Sequence, residues 1–234
     1  MGFTTPGNGT LTAPVPNSPF ATDTAPAQLA VATLAASAPA PNALYASDAG
    51  PSGGILAYTL DSAGSLSLID GSPFATLPDW SAGSVIVASP YLLVLLTSDV
   101  SDTNFGKVAV LAIDLNTGAL MPVPGSPFAV GNAPAALAED SSNHLFVMNA
   151  GDHTVSAFSI GSNGVLTAIG APVAAGTATG GIALLPPYLY VADTNASSIL
   201  TFHIDPTTGA LAPAGSMTVT SPPLQLTVVN LPAV

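Results

Sequence analysis

Two short landmarks recur along this chain in a fixed order, and their spacing limits the fold more than any other feature. A turn glycine with a leucine two residues on occurs at Gly9-Thr10-Leu11, Gly64-Ser65-Leu66, Gly118-Ala119-Leu120, Gly164-Val165-Leu166 and Gly209-Ala210-Leu211. The glycines are 55, 54, 46 and 45 residues apart. After the first three come Ser18-Pro19-Phe20, Ser72-Pro73-Phe74 and Ser126-Pro127-Phe128, with weaker versions at Pro172-Val173 and Ser216-Met217. Self-similarity at a period near 45 marks a repeat architecture, and several short strands per period describe a propeller blade.

Each period reads as four strands, A to D. Strand A is expected at Gln28–Leu34, Gly83–Ala88, Pro134–Ala138, Gly181–Leu185 and Leu224–Val229, and strand B at Ala43–Ser47, Leu92–Leu96, His144–Met148 and Tyr188–Ala192. Strand C is expected at Gly54–Leu60, Lys107–Ile113, Thr154–Ile160 and Ser198–Ile204, and strand D after each turn glycine. Alternation of inward and outward residues is clearest in Val155-Ser156-Ala157-Phe158-Ser159-Ile160, and no segment carries a helical apolar stripe. The C-to-D turns Asp114–Gly118 and Asp205–Gly209 open on an Asp that can accept turn amides and close on a Gly suited to positive φ. Their carboxylates are therefore assigned to turn chemistry.

The fold class expected is all-β, a β-propeller of four-stranded antiparallel blades in a single domain over residues 1–234. Four full periods lie between Gly9 and Gly209. The N-terminus adds only a D strand and the C-terminus only an A strand. The expectation is a part of a larger propeller, with a four-bladed ring as the alternative. Two blades are lengthened, one in the B–C loop Thr97–Gly106 and one around Pro26–Asn42. An open arc would expose blade edges and apolar interblade surface, which predicts a homo-oligomer formed through them.

Charge excludes several partners. Lys107 is the only basic side chain, against 13 carboxylates, for a net charge of −12. Nucleic acid and anionic membranes both require clustered cations, of which the chain has almost none. A small neutral or cationic ligand, or a carbohydrate, is the easier partner. With no Cys, thiol chemistry and zinc–thiolate sites are excluded. No metal-ligand spacing, Walker loop, dinucleotide fingerprint or Gly-x-Ser-x-Gly elbow is present, so no cofactor is expected. Residues 1–20 lack the pattern of a signal peptide. Richness in Ala, Ser, Thr and Pro with few charges points to an extracytoplasmic bacterial protein, periplasmic or secreted.

The stretch Tyr188-Leu189-Tyr190-Val191-Ala192-Asp193, followed by Ser198–Asp205 and Pro206–Leu211, resembles the blade repeat of the β-propeller lactonases. These are the 6-phosphogluconolactonase-like proteins, related in repeat style to YVTN-type surface proteins. Gly71–Phe74 and Gly125–Phe128 resemble their blade junctions. The resemblance implies seven blades and lactone opening or closing at a channel mouth with polar and basic side chains. This chain has no Arg, and no position of it matches a catalytic residue of that family.

In such blades the B–C and D–A loops share one face. Asp48, Asn149 and Asp193 end equivalent B strands there. Asp79, Trp80, Asp152 and His153 fall in its loops, with Asp23, Asp99, Asp102 and Asn132. Together they are candidate ligand-binding residues of an acidic rim; the alternative is that the B-strand ends cap loop amides. Trp80 can stack on a ring or fill an interblade wedge. Asp152 and His153 are the neighbours a general base would need. His144 and His203 read as surface or interblade residues. The function expected is a non-catalytic binding or surface-scaffold propeller, the alternative a lactonase-like hydrolase of a sugar or small-molecule lactone.

Overall fold

The computed structural model describes residues 26–34, 42–49, 54–75, 80–98, 105–177 and 179–228. The described residues are all-β and form four successive antiparallel sheets of propeller-blade type. Blade 1 holds β1 (Pro26–Thr33), β2 (Asn42–Asp48), β3 (Gly54–Leu60), β4 (Leu66–Leu68) and β5 (Phe74–Ala75). Blade 2 holds β6 (Trp80–Ala88), β7 (Tyr91–Ser98), β8 (Phe105–Ile113), β9 (Leu120–Pro122) and β10 (Phe128–Asn132). Blade 3 holds β11 (Pro134–Glu139), β12 (His144–Asn149), β13 (Thr154–Ile160), β14 (Leu166–Ala168) and β15 (Val173–Ala174). Blade 4 holds β16 (Thr179–Leu185), β17 (Tyr188–Asp193), β18 (Ser198–Ile204) and β19 (Leu211–Thr218). Three of the four C strands match the sequence expectation end for end. No helix among the described residues is long and apolar enough to cross a membrane.

Two expectations need correction. The outer D strand is broken in two in blades 1 to 3; in blades 1 and 2 the Ser-Pro-Phe landmark interrupts its ladder, and in blade 3 Ala171-Pro172 stands at the break. At the break the serine side chain takes over from the backbone: Ser72 Oγ accepts from Ala57 N–H at 2.9 Å, and Ser126 Oγ accepts from Val110 N–H at 2.9 Å. Gly71 and Gly125 turn the chain there at φ 88° and 82°, each beneath the ring of the following Phe74 or Phe128. The Ser72-Pro73 and Ser126-Pro127 bonds are cis. The second correction concerns Leu224–Val229. Residues 224–228 are not a strand, since strand character requires a ladder partner and they have none among the described residues; Val229 lies outside the description.

The C-to-D turns behave as their residues dictate. Asp61 Oδ1 accepts from Ala63 and Ser65 N–H, Asp114 Oδ1 from Asn116 and Thr117, and Asp205 Oδ1 from Thr207 and Thr208. These amides hold the Asp114 and Asp205 carboxyls below the usual carboxylate range. The closing glycines Gly64, Gly118, Gly164 and Gly209 have φ of 84°, 78°, 78° and 72°.

Contacts divide the chain into two compact units, one reaching to Val94 and including Leu111–Pro122, the other comprising Leu95–Val110 and Val123 onward. In the first unit, the turn at Gly118 rests on blade 1. A Cβ there would meet Ile69 Cδ1 at 2.7 Å and Ala43 Cβ at 3.2 Å, while Tyr45 Oη donates to the Gly118 carbonyl at 2.9 Å. In the second unit, the turn at Gly209 rests on blade 3, where a Cβ would meet the His144 ring at 2.5 Å and Ile169 Cδ1 at 2.8 Å. The core of that unit is shared by blades 3 and 4, with Phe146, Met148 and Val155 packed with Leu189, Val191 and Phe202.

Gly209→Ala combines a strained φ with a collision, whereas Gly170→Ala has φ +66° and nothing within 4 Å of the added carbon. We expect Gly170→Ala to cost about 1 kcal/mol, the conformational term alone. Gly209→Ala should cost about 1–3 kcal/mol more through overpacking. Urea unfolding of the two variants beside the wild type checks the difference; equal losses would remove the turn from the blade junction.

Candidate functional site

Register places three of the candidate residues at one position of the repeat. Asp48 pairs with Pro26, Asn149 with Pro134 and Asp193 with Thr179, each at the last rung of its B strand. All three are buried, at 2 %, 0 % and 3 % exposure. Their polar atoms face inward to the loops, and a buried polar group must find partners there.

In blade 3 the partners are complete. Asn149 Oδ1 accepts from Gly131 N–H at 3.0 Å, and its Nδ2 donates to Thr154 Oγ1 at 3.1 Å and Ser156 Oγ at 2.8 Å. Asp152 Oδ2 accepts from Asn132 N–H at 2.7 Å and Oδ1 from Asn132 Nδ2 at 2.7 Å. Gly131 is required because a Cβ would strike Asn149 Cγ at 2.5 Å and Asp152 Oδ2 at 2.6 Å. In blade 4, Asp193 Oδ2 accepts from Thr177 N–H at 3.1 Å, and Oδ1 accepts from Ala196 N–H at 3.1 Å and Thr177 Oγ1 at 3.4 Å. The B-strand ends of blades 3 and 4 therefore fasten the D–A and B–C loops to their blades.

The structure brings Asn149, Asp152 and Asn132 together around Gly131. It does not join Asp152 to His153: both Asp152 oxygens serve Asn132, and among the described residues no hydrogen bond links the neighbours. His153 takes φ 54°, its carbonyl accepts from Ala175 N–H at 2.8 Å, and its side chain is exposed. Trp80 opens β6 half-buried. Asp79, Asp23, Asp99 and Asp102 lie outside the described residues. No group of three or more His, Asp or Glu side chains among the described residues is arranged to hold a metal ion.

A His–carboxylate pair exists elsewhere, at the A–B turn of blade 3. His144 Nδ1 lies 2.9 Å from Asp140 Oδ2, and Asp140 Oδ1 accepts from Ser142 and His144 N–H at 2.9 Å each. Both side chains are about 6–7 % exposed. The spacing Asp-x-x-x-His across a turn with Asn143 at φ 62° is the only local sign of it. With its ring buried against Gly209 of the next blade, this pair serves the blade junction. Next to it, Glu139 is half-buried and its carboxyl is pushed up from 4.5 to about 7, first by burial and then by the Asp140 charge.

No family model matches the chain, and no curated protein matches it significantly. Solved structures do. A Bacteroides fragilis protein provisionally assigned as a 6-phosphogluconolactonase is 18 % identical over 82 % of this chain and 71 % of its own, at a TM-score of 0.56. A Lactobacillus plantarum protein is 18 % identical over 95 % of this chain and 66 % of its own, at 0.64. A Bacteroides uniformis protein with the same provisional assignment is 13 % identical over 86 % of this chain and 74 % of its own, at 0.50. At these identities the likeness is one of fold: this chain shares the β-propeller architecture of these structures and spans about two thirds of the length of the Lactobacillus protein.

Asn149→Ala removes the acceptor of Gly131 N–H and should cost about 1–3 kcal/mol. Asp193→Asn turns an amide donor toward a loop N–H that Asp193 now accepts from, with Leu200 where blade 3 has Ser156, and should cost a similar amount; urea unfolding compares the two. Glu139 supplies a pH test. Its folded pKa, about 7, lies above the ordinary 4.5, so its contribution is fully present below about pH 4.5 and is lost as pH rises through 7. We expect Glu139→Gln to match the wild type in Tm at pH 4.5 and to exceed it at pH 8. Parallel curves across that range would deny Glu139 its buried setting.

Proposed function

We propose that this propeller is lactonase-like and acts on a neutral sugar lactone or a comparable small, uncharged lactone. The observation that supports the reading is the likeness in fold, blade by blade, to proteins provisionally assigned as 6-phosphogluconolactonases. Charge narrows the substrate. One Lys against 13 carboxylates disfavours a phosphorylated lactone, whose dianion would meet a field of its own sign with no Arg to bind it. A neutral lactone carries no such penalty. Hydrolysis needs a base to activate water and a donor at the carbonyl oxygen, and an exposed His such as His153 at the rim is a group that could serve as that base. The composition, poor in charge and rich in small polar residues, fits a place outside the bacterial cytoplasm.

A second reading is a binding or surface scaffold without turnover. It is favoured by one observation: the polar atoms of Asn149, Asp152 and Asp193 are already engaged by their own loops. A pH-stat assay separates the readings. Glucono-δ-lactone should be hydrolysed above the uncatalysed rate, and its 6-phosphate at least about tenfold less efficiently, a difference of about 1.4 kcal/mol in transition-state binding. Saturable binding of the neutral lactone without added turnover would support the scaffold; preference for the phosphate would overturn the charge argument.

A further inference from the structure

The chain carries two unlike apolar sheet faces that match the two sides of its own blade 3–blade 4 junction. At that junction blade 3 presents the rungs Ala138–Phe146–Ala157 and Ala136–Met148–Val155. Blade 4 answers with Leu184–Leu189–Phe202 and Ile182–Val191–Leu200, and all of these pack in one core. Blade 1 repeats the second pattern. Its rungs Val31–Leu44–Tyr58 and Leu29–Ala46–Leu56 stand at the same positions of the sheet. The middle of that face is closed within its own cluster, but Leu29 and Val31 remain 60 % and 53 % exposed, where their counterparts Ile182 and Leu184 are packed against blade 3.

Blade 4 repeats the first pattern on its other face. Ala183–Tyr190–Thr201 stands where Ala138–Phe146–Ala157 stands in blade 3, and Ala192–Ile199 where Met148–Val155 stands. Among the described residues no further sheet is packed on it. Ala183, Tyr190, Ile199, Thr201 and Met217 instead line a cavity of about 310 Å³ whose other wall is Leu226–Val228. Met217 is 59 % exposed. None of the side chains on either face carries a formal charge, so bringing the two together buries none.

We infer that these two faces are an interface between copies of this chain, in which the outer face of blade 4 of one copy receives the outer face of blade 1 of a second. The partner is a second copy because the chain holds both halves of the junction, in the residue pattern by which blade 3 holds blade 4. The contact is heterologous, so species beyond the dimer form at higher concentration. High salt strengthens it, since each copy carries −12 and the repulsion between copies is screened.

Sedimentation velocity on the full chain from 1 to 100 µM, in 0.15 and 0.5 M NaCl, tests the inference. The expected result is a concentration-dependent mass above that of the monomer, greater at high salt. Leu29→Asp and Met217→Asp each place a charge on one face; both residues are more than half exposed, so the fold tolerates them. Each variant alone should associate at least about tenfold more weakly. An equimolar mixture should recover a dimer, through the one pair of faces left intact, and nothing larger. A monomer throughout the range overturns the inference, whether the faces are covered within the chain or by another protein. So does association that neither substitution weakens.

Discussion

The turn glycines Gly118 and Gly209 each rest on the blade before their own, and much of this structure follows from that contact. Gly118 lies against Ile69 and Ala43 beneath the Tyr45 hydroxyl, and Gly209 lies against Ile169 and the His144 ring. The approach leaves no room for a Cβ, and the turn needs positive φ, so glycine answers two demands at once. An Asp opening the same turn holds it in shape with its own carboxylate. The contact also determines what fills the recess beside it. In blade 1 a small Ala43 leaves the space to Tyr45, whose hydroxyl is pushed up to about 12 by burial and so remains a donor to the Gly118 carbonyl. In blade 3, His144 occupies the equivalent place and brings its own hydrogen-bond partner in Asp140.

Much of this was legible because it is local. The Gly-x-Leu period, the Asp-to-Gly turns and the alternation of strand C rest on residues within a few positions of one another, and three C strands were bounded correctly. The Ser-Pro-Phe landmark was visible as a repeat, but its task was not. Ser126 is defined by Val110, 16 residues earlier, and only the pairing of β8 with β9 and β10 brings them together. The Asp140–His144 pair was missed for the same reason. Its spacing is unremarkable, and its burial comes from Gly209, far along the chain. Asp152 and His153 stand out in the sequence as neighbours, yet adjacency does not orient side chains toward each other.

The rim shows how a repeat can imitate an active site. Carboxylates recurring at the ends of B strands suggest a ring of charge. In blades 3 and 4, however, each group faces loop amides that must be satisfied wherever the chain leaves the sheet. A residue that serves the repeat recurs with the repeat, so recurrence by itself argues for a structural duty. A group devoted to chemistry is expected in one blade and not in its neighbours, as His153 is among the B–C loops.

The equivalence of Asp48, Asn149 and Asp193 carries this argument further. An amide stands in blade 3 where blades 1 and 4 have a carboxylic acid, and Gly131 N–H accepts the exchange because it requires an oxygen and not a charge. The amide's two donors would then be stranded, and blade 3 supplies Thr154 and Ser156 to receive them. Blade 4 has Ser198 and Leu200 at those positions, opposite Asp193 and Val191. An acid has no donor to place, so a leucine there costs nothing. The side chain at the strand end and its neighbour on strand C are thus matched blade by blade in donors and acceptors. A carboxylate required for proton transfer could not be replaced by an amide in this way. Any chemistry this propeller performs is therefore to be sought in groups that the repeat does not supply.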